Sequence, residues 1–241
     1  MKFIKDKKKK NLIDELKHKG WDRVADVYTH DRRTGSIHHR FISDPALFEL
    51  VGKISGKKIL DAGCGEGFIS RELTRRGAKV VGVDLSRKLL KLAQNEEIKN
   101  SLGIVYYHTS LEDLSHFLSG EFDMVIANLV LHDLEILEET VSEFNRVLKR
   151  NGELVISLLH PILKKENYFQ KGWYEFEWGG KYKTLASYHR TISDYITALA
   201  KEGFLVEEIL EPRPIASGLK YKEIQEWDRK PLFILIKTRK S

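Results

Sequence analysis

Ile59-Leu60-Asp61-Ala62-Gly63-Cys64-Gly65-Glu66-Gly67-Phe68-Ile69-Ser70 is the stretch that decides the fold. An apolar run ends in an acid, three glycines alternate with other residues, and an apolar pair follows at once. This reads as a strand, a tight loop and the start of a helix. Glycine has no Cβ, so the backbone turns sharply there and approaches a ligand closely. The helix opening near Gly67 aims unpaired N–H groups at the same place. The segment is therefore a cofactor cradle. Its spacing disfavours NAD: a G-x-G-x-x-G fingerprint puts the third glycine at the position of Phe68, whereas here it falls at Gly67.

Outward from this loop the chain alternates short β-branched runs with helical patterns. Residues 58–61, 79–84, 104–108, 122–127 and 153–159 read as strands bounded by Gly, Asp or Asn. Between them Leu85, Leu89, Leu92 and Ala93 share one helical face, and Leu134, Leu137, Val141, Phe144 and Leu148 share another. After residue 190, Ile192, Tyr195, Ile196 and Leu199 form a further helix before strands at 204–210 and 232–237. Strands alternating with amphipathic helices predict an α/β fold with a largely parallel sheet. Asp84 closes the second strand 21 residues beyond Gly63. In such a sheet the first two strand ends are adjacent, so its carboxylate is placed to accept both hydroxyls of a ribose. An acid at a strand end also serves as a helix N-cap; beside the glycine loop the ribose role is favoured.

Composition sets the limits. The chain has 241 residues, 41% hydrophobic and 32% charged, as expected of an ordinary globular protein. No apolar run approaches the roughly 20 residues of a membrane span. The single cysteine, Cys64, allows no internal disulfide and no thiolate cluster, which fits a reducing cytoplasm. Residues 1–20 hold eight lysines against Asp6, Asp14 and Glu15, so this end carries +5 of the net +6. A lysine run of that kind is expected to be a solvated terminus, and nucleic acid is disfavoured as a partner. Residues 1–56 lack a convincing strand and read as a helical extension and cap on a core spanning 57–241. Within that core, residues 160–190 form an insertion with eight aromatics: Tyr168, Phe169, Trp173, Tyr174, Phe176, Trp178, Tyr182 and Tyr188.

Five segments in series carry a family resemblance: ILDAGCGEG at 59–67, VVGVDLS at 80–86, SLEDL at 110–114, FDMVIANLVLHDL at 122–134 and LKRNGELVIS at 148–157. Together they resemble the class I S-adenosylmethionine-dependent methyltransferases. The flanks are similar to small-molecule members, through Trp21-Asp22, Tyr28, Gly35-Ser36, His39 and Pro45 on one side and His160-Pro161 and Tyr188-His189-Arg190 on the other. Ser36 departs from that pattern, which often has Asn there. The resemblance implies a Rossmann-like seven-stranded sheet of order 3-2-1-4-5-7-6 with strand 7 antiparallel, and S-adenosyl-L-methionine across the carboxyl ends of strands 1 to 4.

Carried over residue by residue, Asp61, Gly63, Gly65 and Gly67 would surround the methionine moiety, Asp84 the ribose, and Leu85 the adenine. Ser110 stands where the family often has Asp, so the backbone amide of Leu111 is the expected adenine partner. Asn128 and Leu129 would pass under the sulfonium, with Tyr28 and His39 closing the site from the cap. The implied activity is methyl transfer to a small, partly apolar or aromatic acceptor, with S-adenosyl-L-homocysteine as product and no metal. Two alternatives stay open: an RNA or protein methyltransferase using the basic terminus, and a cofactor-binding module without methyl transfer.

Because the cofactor brings its own electrophile, alignment is the main task and no single catalytic residue is required. The acceptor pocket is expected between residues 128–132 and the aromatic insertion, which either folds back as a lid or forms a satellite core. His160 and His189 are the candidates to orient the acceptor or take its proton, and Arg190 to pair with an acceptor carboxylate. Cys64 reads as packing. His132 and Asp133 offer a second acid–base pair, although Asp133 is favoured as the N-cap of a helix beginning at Leu134.

Overall fold

The computed structural model describes residues 7–163, 167–177 and 184–241. Residues 1–6 of the lysine-rich tail, and Trp178 and Tyr182 of the insertion, lie outside these. Nine strands are present among the described residues: β1 (Lys58–Ala62), β2 (Lys79–Asp84), β3 (Val105–His108), β4 (Phe122–Asn128), β5 (Leu148–Leu159), β6 (Gly172–Glu177), β7 (Thr184–His189), β8 (Phe204–Leu210) and β9 (Phe233–Lys240). Seven of them form one sheet of order β3-β2-β1-β4-β5-β9-β8, while β6 and β7 pair as a separate hairpin. Strands β1 to β5 are mutually parallel, and β9 runs antiparallel to both β5 and β8. With the hairpin set aside, this is the expected order 3-2-1-4-5-7-6.

The central strands of the sheet are buried on both faces because they alternate two apolar sets. Ile59, Val80, Met124, Ile126, Val155 and Leu235 belong to one core; Leu60, Val83, Val125, Ala127, Ile156 and Ile236 belong to the other. Successive strand residues point to opposite faces, so neighbours such as Ile59 and Leu60 feed different cores. Helices α2 (Asp44–Val51), α3 (Phe68–Arg75) and α4 (Arg87–Lys99) contribute to the first; α5 (Leu137–Val147) and α6 (Ile192–Lys201) contribute to the second.

Local chemistry fixes the helix starts. Ser86 caps α4 by accepting Leu89 N–H at 3.1 Å, and Thr191 with Asp194 forms a reciprocal capping box on α6. Helix α5 begins at Leu137, three residues later than its apolar spacing predicts, and no side chain caps it. Asp133 is therefore not its N-cap; that residue sits in a 3-10 turn and its carboxylate is used elsewhere. The long N-terminal helix α1 (Lys7–Thr34) packs on α4 and on β7. Its ties to α4 are polar: Asp22 accepts from Ser86 Oγ at 2.5 Å and Lys88 N–H at 3.1 Å, and Asp26 pairs with Lys88 at 2.6 Å. Thus α1 lies across the carboxyl ends of β1, β2 and β4.

Candidate functional site

Gly63, Gly65 and Gly67 take positive φ values of 75°, 57° and 83°. That left-handed backbone turns the chain at the end of β1, and Val83 O accepts from both Gly63 N–H at 2.8 Å and Cys64 N–H at 2.9 Å. Asp84 completes the loop: one carboxylate oxygen accepts Gly65 N–H at 2.8 Å and the other Ser86 N–H at 2.7 Å. The helix-capping alternative for Asp84 thus passes to Ser86. Each Asp84 oxygen keeps capacity for another donor. Burial raises its pKa above the usual carboxylate value, against the lowering effect of the two N–H groups.

These elements open into a cavity of about 740 Å³, within the roughly 300 to 1,000 Å³ of small-molecule sites. Of the residues expected to hold a cofactor, Tyr28, His39, Gly63, Gly65, Asp84, Leu85, Ser110, Leu111, Asn128 and Leu129 line it. Asp61 and Gly67 do not. Asp61 borders a small polar cavity with Tyr28, Arg32, Gly63, Glu66 and Asn128, and a Cβ on Gly67 would fall 2.4 Å from Tyr106 Oη. Tyr28 lies against the glycine loop, 3.7 Å from where a Gly65 Cβ would stand, and meets Trp21 edge-on at 5.4 Å. Burial pushes the Tyr28 pKa up to about 12, which keeps it a neutral donor.

The turn after β4 is held in an unusual shape. Leu129 has φ 56°, and its N–H donates to Ser157 O at 3.0 Å and to Ser157 Oγ at 3.2 Å, while Ser157 Oγ donates to Asn128 Oδ1 at 2.5 Å. A non-glycine residue in this region costs of order 1 to 3 kcal/mol, which these bonds offset. Four residues after Leu129, Asp133 accepts Trp21 Nε1–H and Ser187 Oγ–H, each at 2.8 Å. It joins α1, the β4 turn and β7. Beside it, His132 is 8% exposed and lines the cavity; burial lowers its pKa and Asp133 opposes that shift.

His160 and His189 are placed differently from the expectation. Neither lines the cavity. The His160 ring donates to Glu211 Oε1 at 2.8 Å and accepts Ile162 N–H at 3.1 Å; His189 Nε2 donates to Tyr168 O at 2.7 Å. Arg190 lies over the Tyr188 ring and donates to Leu134 O at 2.7 Å and to Glu135 O. Among the described residues, 160–190 supplies no wall of the cavity. Instead, Ser187 and Arg190 buttress the β4 turn from behind. The far wall comes from Ile37, His38, Leu159, Trp227, Leu232 and Phe233. Trp227 had no signal in the sequence, because the segment between β8 and β9 carries no period or motif. Cys64 is buried, and burial pushes its thiol well above the usual range, as suits a packing residue. No group of three or more His, Cys, Asp or Glu among the described residues is arranged to hold a metal, and none of these helices is long and apolar enough to cross a membrane.

Asp61 is 1% exposed and accepts Ser70 Oγ–H at 2.5 Å. Burial raises its pKa from 3.8 to about 7. The folded pKa exceeds the unfolded one, so the fold favours the neutral acid. That advantage is complete below the unfolded pKa and is lost as pH rises through about 7. Asp61→Asn stays neutral throughout, so its stability relative to wild type should improve from about pH 5 to about pH 8, by roughly 2 to 4 kcal/mol at about 1.4 kcal/mol per pKa unit. Denaturant melts at both pH values measure this. A difference that does not grow with pH would mean that Asp61 is ionised in the fold throughout.

Residues 60–156 match a family model described as a methyltransferase domain. The chain is 28% identical to an uncharacterized Haemophilus influenzae protein over 91% of this chain and 95% of that one. It is 30% identical to a ubiquinone biosynthesis O-methyltransferase of Chromobacterium violaceum, covering 63% of this chain and 62% of the relative. A crystal structure of an S-adenosylmethionine dependent methyltransferase from Mesorhizobium loti superposes with a TM-score of 0.69 at 28% identity, covering 81% of this chain and 96% of that one.

Proposed function

We propose, for a chain that belongs to the class I S-adenosylmethionine-dependent methyltransferase family, that the methyl acceptor is a small, uncharged, partly apolar molecule held beside the cofactor in the 740 Å³ cavity. One observation carries this reading: among the described residues the cavity wall contains Asp31, Asp84 and Asp133 but no lysine or arginine. A phosphate or carboxylate on the acceptor, which unlike the cofactor's carboxylate brings no ammonium group of its own, would meet three acids and no compensating cation, at the cost of burying an unpaired charge. An RNA backbone, which binds through such cations, is poorly served by this lining.

The residues fit the cofactor by their chemistry. Asp84 offers two carboxylate oxygens, already oriented by Gly65 and Ser86 N–H, to ribose hydroxyls. Gly63 and Gly65 let the backbone approach the methionine portion, with Asp61 and Gly67 shaping the loop from behind. Leu85, Ser110 and Leu111 surround the adenine; Asn128 and Leu129 face the reacting centre. When bound, S-adenosylmethionine supplies an electrophilic methyl group on a sulfonium. Tyr28, Trp21 and His39 then exclude water, and the wall from Leu129 to Phe233 aligns the acceptor. In this reading residues 1–56 serve as a cap on a core of 57–241, with 160–190 as a buttress, and the protein works in a reducing cytoplasm.

Calorimetry with S-adenosylhomocysteine tests the assignment. Asp84→Ala removes charge-assisted hydrogen bonds worth roughly 1.5 to 3 kcal/mol each, so affinity should fall about tenfold to a few hundredfold. NAD should not bind the wild type. Unchanged S-adenosylhomocysteine affinity in folded Asp84→Ala would remove that residue from the cofactor site.

A further inference from the structure

The two edges of the seven-stranded sheet are built differently. Strand β8 closes one edge, and there the pairing with β9 shifts register between Val206 and Glu208, with Glu207 and Glu208 exposed. A bulge and charged side chains are the usual means of keeping an edge strand from adding another strand. Strand β3 closes the other edge and has neither. Its pairing with β2 runs from Val105 to His108 without a shift, and the strand holds no lysine, acid or proline. Tyr106 is buried in the core to which α4 contributes, but residues 109–121, which lead from β3 to β4, contain no helix, so the opposite face leaves Val105 49% and Tyr107 38% exposed. The Tyr107 ring meets Phe117 at 5.3 Å, and the neighbouring Leu118 and Ile98 at the end of α4 add further exposed apolar surface. Alternate residues of a strand turn their backbone groups to the same side. Thr109 N–H donates to Asp84 O on β2 at 3.3 Å, so Val105 and Tyr107 share that side, and Tyr106 and His108 present their N–H and C=O groups to the free edge.

We propose that this edge pairs with β3 of a second copy of the chain, antiparallel about a two-fold axis at Tyr106. The two Tyr106 residues then exchange N–H···O bonds, and Val105 of each copy lies opposite Tyr107 of the other in a non-hydrogen-bonded pair, where side chains approach most closely. A β-branched residue against an aromatic one is a favourable cross-strand pair. Charge selects the same direction. Lys99 precedes the strand, Glu112 and Asp113 follow it, and all three are exposed. Antiparallel pairing carries the Lys99 end of each copy to the acidic end of the other, twice by symmetry, whereas parallel pairing sets like ends together. This self-complementary charge pattern is what favours a second copy over an unrelated strand. With a four-residue strand at its centre the contact lies at the small end of specific interfaces, so the association is reversible and of micromolar strength.

Sedimentation velocity of the full chain, from micromolar to submillimolar concentration, should show a monomer–dimer equilibrium. Tyr107→Lys and Val105→Lys each place a lysine on the edge strand and should weaken the dimer about tenfold or more, while circular dichroism and the melting transition stay those of a folded chain. Lys99→Glu and Asp113→Lys should each weaken it as well, and both changes in one chain should restore it, because the opposed ends are then again of opposite sign. The register is read by cross-linking. Opposite residues of a non-hydrogen-bonded pair stand about 4.5 Å apart between Cα atoms, within the span of a disulfide, so a mixture of Val105→Cys and Tyr107→Cys chains should cross-link on mild oxidation. Either variant alone should cross-link several-fold less, and the native Cys64 is buried. A wild type that stays monomeric throughout, a dimer indifferent to both edge lysines, or cysteine variants that cross-link as well alone as mixed overturns the proposal.

Discussion

Gly63→Ala should abolish measurable S-adenosylhomocysteine binding and destabilise the protein by roughly 2 to 6 kcal/mol. Two costs combine. A φ of 75° is a left-handed conformation that costs a non-glycine residue of order 1 to 3 kcal/mol. The added Cβ would also stand 2.5 Å from Val130 Cγ2 and 2.7 Å from Val130 Cβ, so the β4 turn must shift, at about 1 to 3 kcal/mol for overpacking. Because the strained loop and the displaced turn both border the cavity, the damage falls on the site itself.

Gly56→Ala is the matched control. Its φ is 80°, yet nothing lies within 4 Å of the position a Cβ would take, and it does not line the cavity. It should lose only the conformational part of the stability and bind S-adenosylhomocysteine normally. Val130→Ala in the Gly63→Ala background should recover the steric part alone, a coupling that a double-mutant cycle reads directly. Affinity of Gly63→Ala within about threefold of wild type would mean that the loop yields without disturbing the site.

What could be read in advance follows from where the physical constraint is local. The glycine loop and Asp84 are legible because short-range rules govern them: positive φ selects glycine, and a strand end selects an acid beside it. The α/β alternation is legible because apolar period and length separate strands from helices, and the sheet order comes from the family resemblance. Tertiary choices are not local. Apolar spacing places a helix start at Leu134, but the Asp133 carboxylate is drawn to Trp21 and Ser187, 112 and 54 residues away in sequence, and the helix begins later. His160 follows directly on Leu159 of the cavity wall, yet its own ring is claimed by the carboxylate of Glu211, 51 residues on, and it does not line the cavity. The insertion stands out by its aromatics, and composition alone does not distinguish a wall from a buttress. Trp227 is silent in the sequence because its place on the cavity wall is a property only the packed chain defines.

Asp133→Ala should loosen α1 rather than α5. In the wild type this buried carboxylate accepts from the half-buried Trp21 on α1 and from the buried Ser187 on β7, and removing it deprives both donors of that acceptor, at up to about 1 to 3 kcal/mol each. Relief of the carboxylate's own burial, which raises its pKa, offsets part of that loss. Helix α1 keeps its ties to α4 through Asp22 and Asp26, so the opening is local. Amide exchange in α1 around Trp21 should accelerate by about tenfold to a few hundredfold, while the sheet exchanges as before. Trp21→Phe and Ser187→Ala each remove one donor and leave the acid in place, so each should cost less than Asp133→Ala. Since α1 covers the cavity, S-adenosylhomocysteine should also dissociate faster from Asp133→Ala. The opposite assignment makes a different forecast: an N-cap would show its loss in the first turn of α5, at Leu137 to Thr140, with α1 unchanged. Exchange that accelerates there and not around Trp21 would return Asp133 to the capping role and sever the link between the cap, the β4 turn and the His132 ring.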